Sequence, residues 1–210
     1  MKILAIIPAR KGSNRIKFKN RKILGKKMLI EYTIDIAKKC SKFCDIFVTT
    51  DDQQIVDIAK KKNVLVPWLR PARLSLPKTS SYTSVRHAVS WYESKIQKID
   101  AIILLQPTSP FRTKKNILEA ISFFKSDKKK NSILSVSLVK VEDSSRWKKK
   151  INIYKPNGSI FIITKKEFYK KKSFINNNTK PFVINNLKES LDIDYPEDFN
   201  KAKKYLKKIE

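Results

Sequence analysis

The chain has 210 residues, with 47 Lys and Arg against 19 Asp and Glu, and a formal net charge of +28 at pH 7. That length suits one domain able to bury its core without staples, and its two cysteines, Cys40 and Cys44, stand four apart on a helical pattern, which excludes a C-x-x-C redox pair and a zinc-ligand spacing. No apolar run approaches the roughly 20 residues of a membrane span and the first is too short for a secretory signal, so a soluble, cytoplasmic protein with reduced thiols is expected.

Residues 3–8 are a short apolar run, the signal of a buried strand. The loop that follows carries Arg10, Lys11, Gly12, Ser13, Arg15, Lys17, Lys19 and Asn20 and no acid. Apolar positions at helical spacing predict a helix over 28–42. Residues 45–50 read as a second strand ending in Asp51-Asp52, with a short helix marked by Ile55, Ile58 and Ala59 after it. A third strand is expected at 64–68 and a helix at 81–96, with Val85, Ala88, Val89 and Tyr92 inward. Residues 101–105 are continuously apolar, as a central strand buried on both faces should be. A loop with two prolines, from Gln106 to Arg112, leads to a helix at 114–124, and 133–139 is another strand.

Beyond that point the strand–helix rhythm stops. Residues 142–150 are polar and basic, and 151–164 predict strand, turn, strand, with Pro156-Asn157-Gly158 as the turn. A short strand is expected at 182–184, and a last helix starts at Pro196, a good first-turn residue. The alternation as a whole predicts an α/β fold with a mainly parallel, Rossmann-like sheet, in a single domain over 1–210.

The charge invites a nucleic-acid reading, but the cations are mostly Lys in doublets and triplets on nearly every predicted helix, with no single stripe and no aromatic interleaving. Arg and Gly are scarce, so their positions carry information. Arg10, Arg15, Arg70 and Arg112 all fall in loops after predicted strands, and the three glycines are Gly12, Gly25 and Gly158.

In sheets of this kind ligands bind outside the carboxyl ends of the strands. Three polar clusters fall there: Arg10 to Asn20, Asp51-Asp52, and Gln106 to Arg112. The basic loop suits a phosphate cradle, although it has neither G-x-x-x-x-G-K-[ST] nor G-x-G-x-x-G spacing. Asp192 and Asp194 stand two apart in an extended segment, which puts both carboxylates on one side, where they suit a hard cation such as Mg²⁺; the same acids also suit a helix N-terminus. His87 sits mid-helix and reads as structural.

The segments IPARKGSNRIKFKN, LRPARLS, LLQPTSPFR, YKPNGSIFI and SLDIDYPEDF occur in the order seen in acylneuraminate cytidylyltransferases, the CMP-sialic acid synthetases, and the chain resembles that family nearly end to end. The resemblance implies the nucleotide-diphospho-sugar transferase fold, with a small β-hairpin or arm extension. It implies a reaction of CTP with a nonulosonic (sialic-type) acid to give a CMP-sugar and pyrophosphate, with Mg²⁺ as cofactor. Arg10, Ser13, Lys19 and Asn20 match the family's triphosphate loop, and Arg70 and Ser81 match positions near the cytosine. Gln106 matches a sugar-contacting glutamine, and Asn157, Phe161 and Phe174 fall with the sugar pocket. Asp192 and Asp194 match the metal ligands, so the implied catalytic set is Arg10, Lys19, Asp192 and Asp194.

The chain also departs from the family. Asn14 replaces a lysine, a charge that Arg15 can supply; Lys78 replaces an aspartate; and Phe161 lacks an expected aromatic hydroxyl. The arm, at about 141–186, is shortened, with Arg146 or Lys148 in place of a carboxylate-binding arginine, so a homodimer and the identity of the sugar stay open. The alternatives are activation of another sugar acid such as Kdo, against which LLQPTSPFR argues, and a non-catalytic relative that binds polyanions.

Overall fold

The computed structural model describes residues 1–126, 131–142 and 150–207, without the side chains of 140–142 and 150–152. Arg146 and Lys148 lie outside these. The sheet runs β4-β1-β5-β7-β6-β8, with β1 at Ile3–Ala9, β4 at Asp45–Thr50, β5 at Ala101–Leu104, β6 at Ser132–Glu142, β7 at Lys150–Thr164 and β8 at Lys180–Val183. β1 pairs in parallel with β4 and β5, β6 pairs in parallel with β8, and β7 alone is antiparallel to its neighbours β5 and β6. The mainly parallel sheet read from the sequence is therefore present, with one reversed strand.

Alternation along the central strands explains the layering. Ile3, Ala5, Ile7 and Ala9 of β1, Ala101 and Ile103 of β5, and Ile160 and Ile162 of β7 face one buried layer. Helices α1 (Leu29–Lys38), α2 (Gln53–Lys61) and α4 (Lys114–Lys125) cover that layer. Leu4, Ile6, Ile102, Leu104, Phe161 and Ile163 face the other, under α3 (Ser81–Lys95) and α5 (Lys165–Lys171). Burial on both faces is what the unbroken apolar runs require.

A third apolar cluster positions the site. Ile16 and Leu24 from the segment after β1, Leu29, Phe111, Leu191 and Ile193 pack with Phe199 and Ala202 of the last helix, α6 (Pro196–Lys207). It clamps the basic loop against the segment bearing Asp192 and Asp194. Both cysteines are free and buried, and burial pushes the Cys44 thiol up to about 12, which fits inert thiols.

Two expectations are corrected. The strand expected at 64–68 is a single parallel bridge between Phe47 and Leu65; Asn63 bends the chain at φ 53, and Pro67 has no N–H to extend the pairing. The strand, turn, strand expected over 151–164 is one long strand, β7, pairing with β6 on both sides of a bulge. Leu134 opposes Phe161 and Val136 opposes Pro156, so Asn157, Gly158 and Ser159 bulge out of the ladder. The turn chemistry was real, and Gly158 has φ +69, but the strand resumes with the same partner. Finally, three elements have no counterpart among those expected from the sequence. They are α5, and the hairpin of β2 (Ile23–Leu24) with β3 (Lys27–Met28), which turns at Gly25 with φ +61.

Candidate active site

β1 lies between β4 and β5, and its outgoing connection runs to one side while that of β5 runs to the other. The crevice at the carboxyl ends of β1 and β5 is thus a topological switch point. The basic loop starts there. Buried Asn20 donates from Nδ2 to the Arg10 carbonyl at 3.0 Å and closes the loop on itself. The amide of Lys11 donates to Oδ1 of Asp51 at 2.9 Å, lacing the loop to the end of β4. Ile16 is buried, so the middle of the loop is anchored while its polar groups stay at the surface.

On the far side, the buried Ile193 donates its amide to the Thr108 carbonyl at 2.8 Å, which ties the acidic segment to the loop after β5. The two carboxylates flanking Ile193 both line a cleft of about 550 Å³. Lys19 Nζ donates to the Ile193 carbonyl at 2.8 Å and to Asp194 Oδ1 at 2.9 Å. Arg15 reaches Asp194 Oδ2 at 3.2 Å, with its guanidinium 4.4 Å from the centre of the Tyr195 ring. Asp194 is thus held by two cations. Asp192 is not: its Oδ1 is buried with no hydrogen-bond donor among the described residues. Burial pushes the Asp192 carboxyl up, opposed by the Thr108 side chain and Lys19 and reinforced by Asp194 and Asp198.

The cleft continues past Arg10, Ser13 and Lys19 toward Arg70 and the start of α3. Arg70 is 4% exposed. It donates to Asp51 Oδ1 at 3.3 Å, to the Ser75 hydroxyl at 2.9 Å and to the Thr49 carbonyl at 3.4 Å, pinning residues 70–75 to the end of β4. Burial lowers its pKa and Asp51 opposes the shift. Ser81 opens α3 and lines the cleft with Ser84.

Gln106, Pro156, Gly158 and Phe161 line the same cleft. Asn157 and Phe174 do not line the cleft. Asn157 is buried and works inside the bulge: Ser135 donates to its Oδ1 at 2.6 Å, and it donates to Ser137 at 3.2 Å, in place of the missing ladder bonds. Phe174 lies in the core behind the cleft, with ring centroids 6.1 Å from Phe161 and 5.1 Å from Phe168, so it backs the Phe161 wall rather than facing a ligand.

Of the residues expected at the site, Arg10, Ser13, Lys19, Asn20, Arg70, Ser81, Gln106, Phe161, Asp192 and Asp194 come together in one cleft, and Arg15 lines an adjoining recess of about 200 Å³ with Asp194. The sequence reading missed Ser84, Thr108 and Pro156 as cleft residues. Ser84 lies one helical turn after Ser81, and Thr108 stands inside the Gln106–Arg112 loop, so both had a positional signal. Two carboxylates, one with an unused buried oxygen, match a cation that takes one or two protein carboxylates and completes its shell with phosphate and water. Among the described residues no third acid, His or Cys joins them.

This architecture is shared with solved nucleotidyltransferases. The chain superposes on CMP:2-keto-3-deoxy-manno-octonic acid synthetase complexed with CTP with a TM-score of 0.76 over all of both chains, at 13% identity, a likeness of fold. Residues 4–210 match the cytidylyltransferase family, and the chain belongs to it. It is 36% identical over 228 aligned positions to the CMP-N,N'-diacetyllegionaminic acid synthase of Legionella pneumophila, covering 98% of this chain and 97% of that one. It is 34% identical over 220 positions to the N-acylneuraminate cytidylyltransferase of Escherichia coli, covering 96% of this chain and 51% of the relative, so it spans about half of that longer protein.

Proposed function

We propose that this enzyme transfers CMP from CTP to the anomeric hydroxyl of a nonulosonic, sialic-type acid and releases pyrophosphate. The observation that carries the reading is the placement of Asp192 and Asp194. They face the basic loop on one side, through Lys19 and Arg15, and Gln106 and Gly158 on the other. A triphosphate on the loop and a sugar acid beside Gln106 would therefore meet at the two carboxylates.

In this reading the hydroxyl oxygen attacks the α-phosphorus, the bond from that phosphorus to the β-phosphate bridging oxygen breaks, and the hydroxyl proton passes to solvent water. Arg10, Ser13, Arg15, Lys19 and Asn20 hold the triphosphate, and Arg70 and Ser81 shape the end that takes the base. Gln106 and Phe161 face the sugar acid. Asp192 and Asp194 would hold Mg²⁺, which when bound neutralises charge on the phosphates. With a triphosphate bound, Lys19 and Arg15 would turn from the Asp194 carboxylate to phosphate oxygens, and pre-placed cations of this kind stabilise charge developing on the departing pyrophosphate. The dependence on CTP and the reduced, buried thiols fit a cytoplasmic setting, and no described helix is long and apolar enough to cross a membrane. The β6–β7 ribbon exposes Leu138, Ile153 and Tyr154, which supports its reading as the arm of a homodimer.

The test is pyrophosphate release from each of the four common nucleoside triphosphates against a panel of sugar acids. Release from CTP with a nonulosonic acid is the expected result. Turnover confined to Kdo would favour the other sugar-acid reading. No turnover, with tight RNA binding that persists at about 0.2 M salt, would favour a polyanion-binding relative.

A further inference from the structure

Arg112 ends the loop after β5 and is 3% exposed. Its Nε donates to the Ser159 carbonyl at 2.7 Å, Nη2 to the Gln106 carbonyl at 2.9 Å and Nη1 to the Thr33 hydroxyl at 3.4 Å. The acceptors come from β7, from the loop just past β5 and from α1, and all are neutral. Among the described residues no carboxylate lies within ion-pair distance of it. Burial pushes its pKa down to about 9, and Asp192 is the charge that opposes the shift. A buried cation without a paired carboxylate carries a desolvation cost that only its hydrogen bonds offset.

Its placement has a second consequence. The β5–β7 ladder ends at Leu104 opposite Phe161. Continuing that register puts Gln106 opposite Ser159, and there the two strands are joined through the Arg112 fork rather than to each other. The residues this fork holds, Gln106 and Ser159, border Gly158, where a built Cβ would stand 2.7 Å from Asp192 Oδ2 and 3.1 Å from Gln106 Oε1.

We infer that Arg112 is a positioning residue for the sugar-acid half of the cleft: it fixes Gln106 and Gly158 against Asp192 without touching substrate, and it leaves the nucleotide half alone. The inference rests on the reading of the cleft proposed above. Lysine keeps the charge but not the three-way fork, so Arg112→Lys separates geometry from charge, and Arg112→Met removes both. In R112K, CTP affinity by calorimetry stays within about twofold of wild type while kcat/KM for the sugar acid falls about 10–100-fold, the usual effect of losing a group that orients ligating side chains. R112M falls at least as far.

A crystal structure of R112K is expected to show Gln106 and residues 157–159 displaced from Asp192. Wild-type kinetics toward the sugar acid with Gln106 unmoved would overturn the inference, as would an equal loss in CTP affinity. If the wild-type enzyme releases no pyrophosphate with any sugar acid, the proposed function fails, and the positions of Gln106 and Gly158 in R112K still decide the role of Arg112.

Discussion

Gly158 and Asp192 approach so closely that a Cβ built on the glycine would stand 2.7 Å from Oδ2 of the aspartate. Oε1 of Gln106 lies 3.1 Å from the same point. The bulge in β7 thus brings backbone against the acidic segment where any side chain would intrude. Gly158→Ala meets both this contact and a φ of +69, a backbone strain of about 1–2 kcal/mol for a residue with a Cβ. The expected result is a melting temperature lower by a few degrees and a much larger loss of turnover, because Asp192 must move. A variant as active as wild type would show that the contact has no bearing on the site.

Asp192→Asn and Asp194→Asn each remove a carboxylate from the cleft while keeping shape. Turnover in either is expected to fall by about 10²–10³-fold, the scale for loss of one transition-state stabilising group, with circular dichroism unchanged. Pyrophosphate release by both variants at the wild-type rate would refute their role.

Lys19 and Arg15 share Asp194 but differ in setting: the Lys19 side chain is 13% exposed and the Arg15 side chain 52%. A screened, exposed ion pair is worth little. Lys19→Met is therefore expected to weaken CTP binding by about tenfold or more and Arg15→Ala by only about threefold, as read by calorimetry. The reverse order would mean that Arg15 is the main triphosphate ligand.

Part of this site was legible in the sequence. Strand ends are readable from apolar runs, and the residues just beyond them fall at one edge of a parallel sheet, so Arg10, Lys19 and Gln106 were expected near one another, and they line one cleft. The Asp192–Asp194 pair was readable because alternate residues of an extended segment face one way. The roles of Asn157 and Phe174 were not, because a turn signal does not reveal whether the strand resumes with the same partner, and an aromatic residue in an irregular stretch gives no facing. α5 had a signal that went unread: Thr164 and Glu167 have capping-box spacing, and the Thr164 hydroxyl accepts from the Glu167 amide at 3.3 Å. Arg112 shows the opposite limit, since its scarcity marked it but only the three acceptors show what it holds.

Far from the cleft, Glu93 on α3 accepts from Lys165 at 2.8 Å and from the Ile99 amide at 3.0 Å. Burial raises its pKa, but Lys165 and that amide outweigh burial and hold it below the ordinary 4.5. A depressed carboxyl adds stability above its ordinary value and loses it as pH falls through the folded-state value. Glu93→Gln is therefore expected to melt earlier than wild type at pH 7, with the gap closing on acidification below pH 4.5. A gap that persists unchanged at low pH would place the effect in packing rather than charge.

The most direct test of group transfer is phosphorus NMR of the enzyme with CTP, Mg²⁺ and a nonulosonic acid. Transfer of CMP to the sugar acid requires the three CTP resonances to give way to one phosphodiester signal and pyrophosphate, with CTP persisting when the sugar acid is omitted. CTP left intact with every nonulosonic acid, or hydrolysed to CMP regardless of sugar, would contradict it.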